Sequence, residues 1–170
     1  LPEHLDRDGL LSLYDYNAYA VKLVLNTAEK LSEEEFTREF SRSHGSIRKL
    51  LQHTMATEAF FLAACQRHTF EFDRDKLDTL EEIRAYWDGL EHRMKTYIRS
   101  AHNEELQRPI DVNIRDRFYH LPVWQLLVQA FVHSTHHRGE LSLLFSELGQ
   151  QLPTLDPIIY FAEQSGQPWP

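Results

Sequence analysis

Two histidines four residues apart, His133 and His137, stand in a stretch whose other inward positions are apolar. That stripe reads Val123, Leu126, Ala130, His133, His137, Leu141, Leu144 and Leu148, in steps of three and four. Such steps follow one face of an α-helix. A spacing of four turns the chain by about 400°, so both rings project from that face one turn apart. Two neutral imidazoles placed like this can ligate one metal ion. The alternative is a pair of core histidines satisfied by hydrogen bonds. Two ligands do not hold an ion, so a third must come from elsewhere in the chain. His53 is the best placed, in mid-helix beside a seam running through Leu50 and Thr54. His44 and His68 flank that helix, and His92 and His136 lie off the inward faces; all four are expected to be exposed.

These side chains need helices to hold them, and the apolar pattern is helical almost throughout. Leu10, Leu13, Asn17, Ala20, Val24, Ala28 and Leu31 predict a first helix over residues 9–30. Ser32 and the acidic residues after it mark a break with a short helical turn, and Glu33–Glu35 reads as a solvated face. A second helix is predicted over 45–67, capped by Ser43 or alternatively Ser46, with Ile47, Leu50, Thr54, Phe61 and Cys65 inward. A third over 79–102, capped by Asp78 or Thr79, turns Leu80, Ile83, Trp87, Leu90, Met94, Tyr97 and Ile98 inward. Pro109 breaks the pattern. Residues 109–114 and 117–121 alternate weakly, which predicts a small hairpin across Arg115–Asp116. The fourth helix is predicted from Pro122 to Gly149, and Asp156-Pro157 opens a short final helix to about Gln164. Four long helices mean an all-α four-helix bundle, expected to form a single domain over 1–170.

Composition removes several functional classes. The chain has 170 residues, a formal net charge of -8 and ten histidines, more than its six glycines or seven prolines. An acidic chain with a pI near 5.7 is not a general nucleic-acid binder, which would present a basic face to phosphates. Cys65 is the one cysteine, so no disulfide framework exists within the chain. It reads as a small core residue rather than a nucleophile. No apolar run approaches the roughly 18 residues of a membrane span. Leu1–Gly9 lacks the apolar stretch of a signal peptide, so the cytoplasm is the expected compartment. There is no His-Glu-x-x-His, no Glu-x-x-His pair and no glycine-rich phosphate loop, which disfavours zincin peptidases, ferritin-like di-iron bundles and nucleotide binding.

His133-Ser134-Thr135-His136-His137-Arg138-Gly139-Glu140 resembles the signature of the DinB/YfiT-like metalloprotein superfamily: a His-x-x-x-His helix followed by Arg-Gly and an acid or amide. Tyr16-Asn17-Ala18-Tyr19-Ala20 is similar to that family's first-helix pattern. The segment Ser46 to His53 looks like its second-helix stretch ending in a ligand histidine, with Glu58, Phe60 and Phe61 following. Leu148-Gly149, Asp156 and Tyr160 match the usual ending, so the resemblance covers nearly the whole chain. It implies a four-helix bundle holding one divalent metal, zinc or nickel, on His53, His133 and His137. Three histidines with an open fourth position are the pattern of a catalytic zinc site.

The resemblance also implies an activity. Some relatives are thiol-dependent transferases using bacillithiol, mycothiol or glutathione. A metal-dependent S-transferase acting on small electrophiles, with a low-molecular-weight thiol as cosubstrate, is therefore the first expectation. The alternatives are a metal-dependent hydrolase and a non-enzymatic, stress-associated protein with a structural ion. A small-molecule substrate is expected, with no nucleic acid or membrane partner, and relatives suggest a homodimer. Five neighbours could support the ligands or line a pocket. Arg138 and Glu140 are expected to pair with each other or to bind a substrate carboxylate. Asn17 is expected to bond a ligand ring, face the pocket or satisfy backbone. Glu58 is a base, a support for the ligands or a structural acid, and Tyr160 would cover the pocket mouth. Gly139 would allow close helix approach.

Overall fold

A computed structural model describes residues 5–40 and 44–167. Helix α1 spans Arg7–Ala28, α2 Glu33–Thr37, α3 Ile47–Gln66, α4 Leu80–Ser100, α5 Asn103–Gln107, α6 Val123–Glu147 and α7 Pro157–Gln164. Strands β1 (Pro109–Ile114) and β2 (Arg117–Pro122) lie between α5 and α6. The four long helices α1, α3, α4 and α6 form the bundle. Helix α3 packs on α6 and α4, and α1 packs on α4 and α6, so α1 and α3 face each other across the diagonal.

The helix starts follow from local chemistry. Asp6 caps α1 by accepting from the Gly9 amide at 2.8 Å, which sets the start two residues earlier than the apolar pattern alone suggests. Ser32 with Glu35, and Thr79 with Glu82, each form a reciprocal capping box. Ser46 caps α3, accepting from the Lys49 amide at 3.2 Å; Ser43 lies outside the described residues. Helix α6 begins at Val123, one residue after Pro122, which still pairs in β2. Its C-terminal stop is Gly149 at φ +74°, a conformation that costs glycine little.

The inward residues of the four helices fuse into one core. Leu10, Ile47, Leu50, Ile83, Leu90, Met94, Leu141 and Phe145 are all fully buried. Each such side chain contributes about 1.5–3 kcal/mol relative to exposure. Cys65 belongs to this core, where burial pushes its thiol pKa up to about 12, so it is no nucleophile. The predicted hairpin forms in the predicted register, with Ile114 opposite Arg117. Arg115 and Asp116 both take positive φ (51° and 62°), as a type I′ turn requires. The hairpin packs against α3 and α6, the two helices that carry the histidines. Helix α5 was not legible in the apolar pattern, because five residues with one buried anchor, Leu106, show no period. Among the described residues, no helix is long and apolar enough to cross a membrane.

Candidate metal centre

The packing of α3 on α6 brings His53 against His133 and His137. The ring centroids of His53 stand 5.0 Å from His133 and 4.8 Å from His137, and those of His133 and His137 are 4.4 Å apart. The Nε2 atoms of His133 and His137 lie 3.2 Å from each other. Two nitrogens held on one tetrahedral zinc at about 2.0–2.1 Å stand about 3.3 Å apart, so this pair has the spacing of two ligands to one ion. The Nδ1 of His137 donates to Oε2 of Glu140 at 2.9 Å, which leaves Nε2 with its lone pair. A carboxylate on the far ring nitrogen is the usual support of a metal-ligating histidine.

Burial and mutual repulsion keep these rings neutral. The pKa values of His53 and His133 are each lowered to about 4, first by burial and then by neighbouring histidines. Burial also lowers His137, against the opposing pull of Glu140. Neutral imidazoles are the form that ligates. His137 is satisfied by Glu140, but His133 is not satisfied as a core histidine would be. The Nδ1 of His133 is buried with no hydrogen-bond partner among the described residues, and its Nε2 meets only another imidazole. Clustered neutral imidazole nitrogens are the donor type that suits divalent ions preferring nitrogen ligands.

One histidine enters the cluster against expectation, and among the described residues it is His44, rather than His133, that groups with His53 and His137 by the approach of ligating atoms. His44 is exposed, as predicted, yet its ring stacks on His53 at 4.6 Å with an interplanar angle of 13° and stands edge-on to His137 at 4.8 Å. The ligating atoms of His44, His53 and His137 all lie within 4.8 Å of one another. His44 precedes the α3 cap, and a side chain off a helix has no periodicity from which its direction can be read. His136, His137 and Glu140 form a second grouping, which runs from the exposed His136 to the buried His137. His68, His92 and His136 are exposed.

Of the five neighbours, Glu140 meets a ligand histidine and Glu58 is a buried structural acid, while Asn17, Arg138 and Tyr160 turn elsewhere. Arg138 and Glu140 do not pair with each other: two residues apart on a helix, they point about 200° apart. Glu140 holds His137 and reaches the Nδ1 of His44 at 3.4 Å. Arg138 turns into the bundle and donates to Oδ1 of Asn17 at 2.5 Å and to Oγ1 of Thr135 at 2.7 Å. Asn17 bonds neither a histidine ring nor backbone; its Nδ2 donates to Glu58 at 3.0 Å. Glu58 is buried and also accepts from Nε1 of Trp87 at 3.2 Å and from the hydroxyl of Ser134. These residues tie α1, α3, α4 and α6 together through one buried polar network. Tyr160 packs on Tyr16 and Tyr19, with centroids at 5.9 and 5.1 Å, and so covers α1 rather than a pocket mouth at the histidines. Gly139 is exposed with open space around the position of a Cβ, so it does not serve a close helix contact.

His53 and His133 also line a cavity of about 820 Å³ between α3, α6 and the hairpin, walled by Phe60, Phe61 and Tyr119. That volume accommodates a small organic molecule.

A four-helix bundle with a hairpin leading into its histidine-bearing helix defines a class, and comparison with known proteins names it. The model of the DinB family matches residues 4–167, and the chain belongs to that family. Protein DinB of Bacillus subtilis (strain 168) is 21% identical over 163 residues, covering 90% of this chain and 94% of that protein. The crystal structure of a DinB-like protein from Bacillus cereus ATCC 10987 is similar with a TM-score of 0.69 and 16% identity, over 86% of this chain and 95% of that one. A DinB-like protein from Bacillus subtilis gives a TM-score of 0.63 and 18% identity, over 85% and 97%. At such identities the structural likeness speaks for the fold.

Proposed function

We propose that this chain is a metal-dependent enzyme in which His53, His133 and His137 hold one zinc or nickel ion, and that its reaction is the transfer of a low-molecular-weight thiol to a small electrophile. The observation that carries this reading is the cavity that opens onto His53 and His133. A purely structural ion needs no such space. Bound there, a divalent ion supplies Lewis acidity, lowering the pKa of a ligating thiol into the neutral range. The chain's own residues do the rest. Three neutral rings offer lone pairs without a proton to displace, Glu140 fixes the orientation of His137, and the aromatic walls offer an apolar surface to a substrate beside the rings.

His44 favours a second reading. As a fourth ring within reach of His53 and His137 it could close the site, which is the mark of a structural ion. One experiment separates the two. Metal content is measured by mass spectrometry on untagged wild type and on His53→Ala, followed by a panel of thiols and electrophiles with and without added metal. One equivalent of zinc or nickel, lost in the variant, together with metal-dependent turnover supports the enzyme. One equivalent with no turnover of any thiol supports the structural ion. No metal after incubation with divalent ions removes both.

A further inference from the structure

The chain carries a net charge of -8, yet among the described residues no aspartate or glutamate lines the cavity beside the histidines, and three arginines do. Arg74 comes from the 3-10 turn Arg74–Lys76 that follows α3, and Arg115 and Arg117 come from the hairpin. Arg48, Arg84 and Arg108 are matched to Asp78, Glu29 and Glu105, whereas Arg38, Arg67, Arg93 and Arg99, like the three exposed cavity arginines, make no ion pair among the described residues; what sets the three apart is their convergence on one cavity.

Two features of the hairpin show how the arginines are aimed. Alternation along β2 puts Arg117 and Tyr119 on the cavity side together, while Phe118 between them is turned out and 79% exposed. Arg115 is held at φ +51°, at a turn position where Asn, Asp or Gly would fit with less strain. Arg115 is exposed at this turn, so its guanidinium is accessible to a ligand entering the cavity. The walls beside it are flat and apolar, formed by Phe60, Phe70 and Tyr119.

We propose that the ligand of this cavity is an amphipathic anion: an apolar or aromatic body seated between Phe60, Phe70 and Tyr119, with a carboxylate or phosphate held by Arg74, Arg115 and Arg117 and the opposite end directed at His53 and His133. As a substrate assignment this rests on the enzyme reading above; as a binding site it stands on the cavity alone. Arginine suits both head groups because its planar fork meets two oxygens at once.

The test is equilibrium binding by calorimetry of three probes that share one ring system: naphthyl phosphate, naphthoate and the neutral naphthalenemethanol. Each is titrated into chelator-treated wild type, into the triple variant Arg74→Gln/Arg115→Gln/Arg117→Gln, and into His133→Ala. Wild type is expected to bind one of the anions about tenfold or more tightly than the neutral probe, and the triple variant to lose that preference while binding the neutral probe as before. The tighter of the two anions names the head group. The preference is expected to persist in His133→Ala, which separates the arginine site from an anion sitting on a metal. Equal binding of all three probes by wild type would overturn the proposal, as would a preference that survives in the triple variant. Persistence of the preference in a protein that never takes up metal would sustain the anion site and refute the metal reading; metal uptake without the preference would do the reverse.

Discussion

The Nδ1 of His137 and the Oε2 of Glu140 stand 2.9 Å apart, three residues along one helix, and this contact decides which nitrogen of the ring faces the cluster. With Nδ1 donating to the carboxylate, Nε2 is left as the ligating atom. Glu140→Gln replaces a charged acceptor by a neutral amide and is expected to weaken metal affinity about 10- to 100-fold. Competition with a chromophoric chelator measures this, and circular dichroism should show an unchanged helix content. An unaltered affinity would mean that Glu140 does not tune the site.

His44 and His133 make opposite predictions. On the proposed ligand set, His133→Ala and His137→Ala lose the bound ion, whereas His136→Ala and His44→Ala keep one equivalent. Metal-to-protein ratios after gel filtration report this directly. Loss in His44→Ala equal to that in His53→Ala would place His44 in the coordination sphere and favour the structural ion.

Glu58 is the hub of the buried network, and its removal strands several groups at once. Glu58→Ala leaves Trp87, Asn17 and Ser134 without their acceptor and the buried Arg138 without a nearby carboxylate. The expected cost is about 3–5 kcal/mol, read as a lower midpoint in urea unfolding.

The same residue carries a pH signature. Burial raises the pKa of Glu58 above its ordinary value of 4.5, against the lowering effects of Ser134, Asn17, Arg138 and Trp87. The folded state then binds this proton more tightly than the unfolded chain. Stability from this group is complete below the unfolded pKa and is lost as pH rises through the folded one. Glu58→Gln has no such proton, so wild type should lose stability relative to Glu58→Gln as pH rises from about 4.5. Urea midpoints of both proteins across that range check the sign; parallel curves would contradict it.

The hairpin turn offers a stabilising change. Asp116 sits at φ +62°, where glycine is at ease and an L side chain is not. Asp116→Gly is expected to raise stability by about 0.4–1 kcal/mol, visible as a higher Tm.

The four long helices, the hairpin and the alignment of His133 with His137 are legible along the chain, because all three are written in short-range periods. Steps of three and four place Ile47, Leu50 and Leu141 in the core and put the two histidines on one face. Weak alternation around Arg115–Asp116 was enough for the hairpin, since a two-residue connection between alternating runs favours the tight primed turns that pair the flanking strands. The tertiary structure decided everything that depends on which helices are neighbours. Packing of α3 on α6 set His53 beside the pair, and packing of four helices at once turned Asn17, Glu58 and Arg138 inward to one another instead of to the histidines or to Glu140. His44, Arg74 and the hairpin arginines belong to the same group. They sit on turns and strand ends, where no repeat fixes the direction of a side chain, and their approach to the histidines comes from contacts between segments distant in the chain.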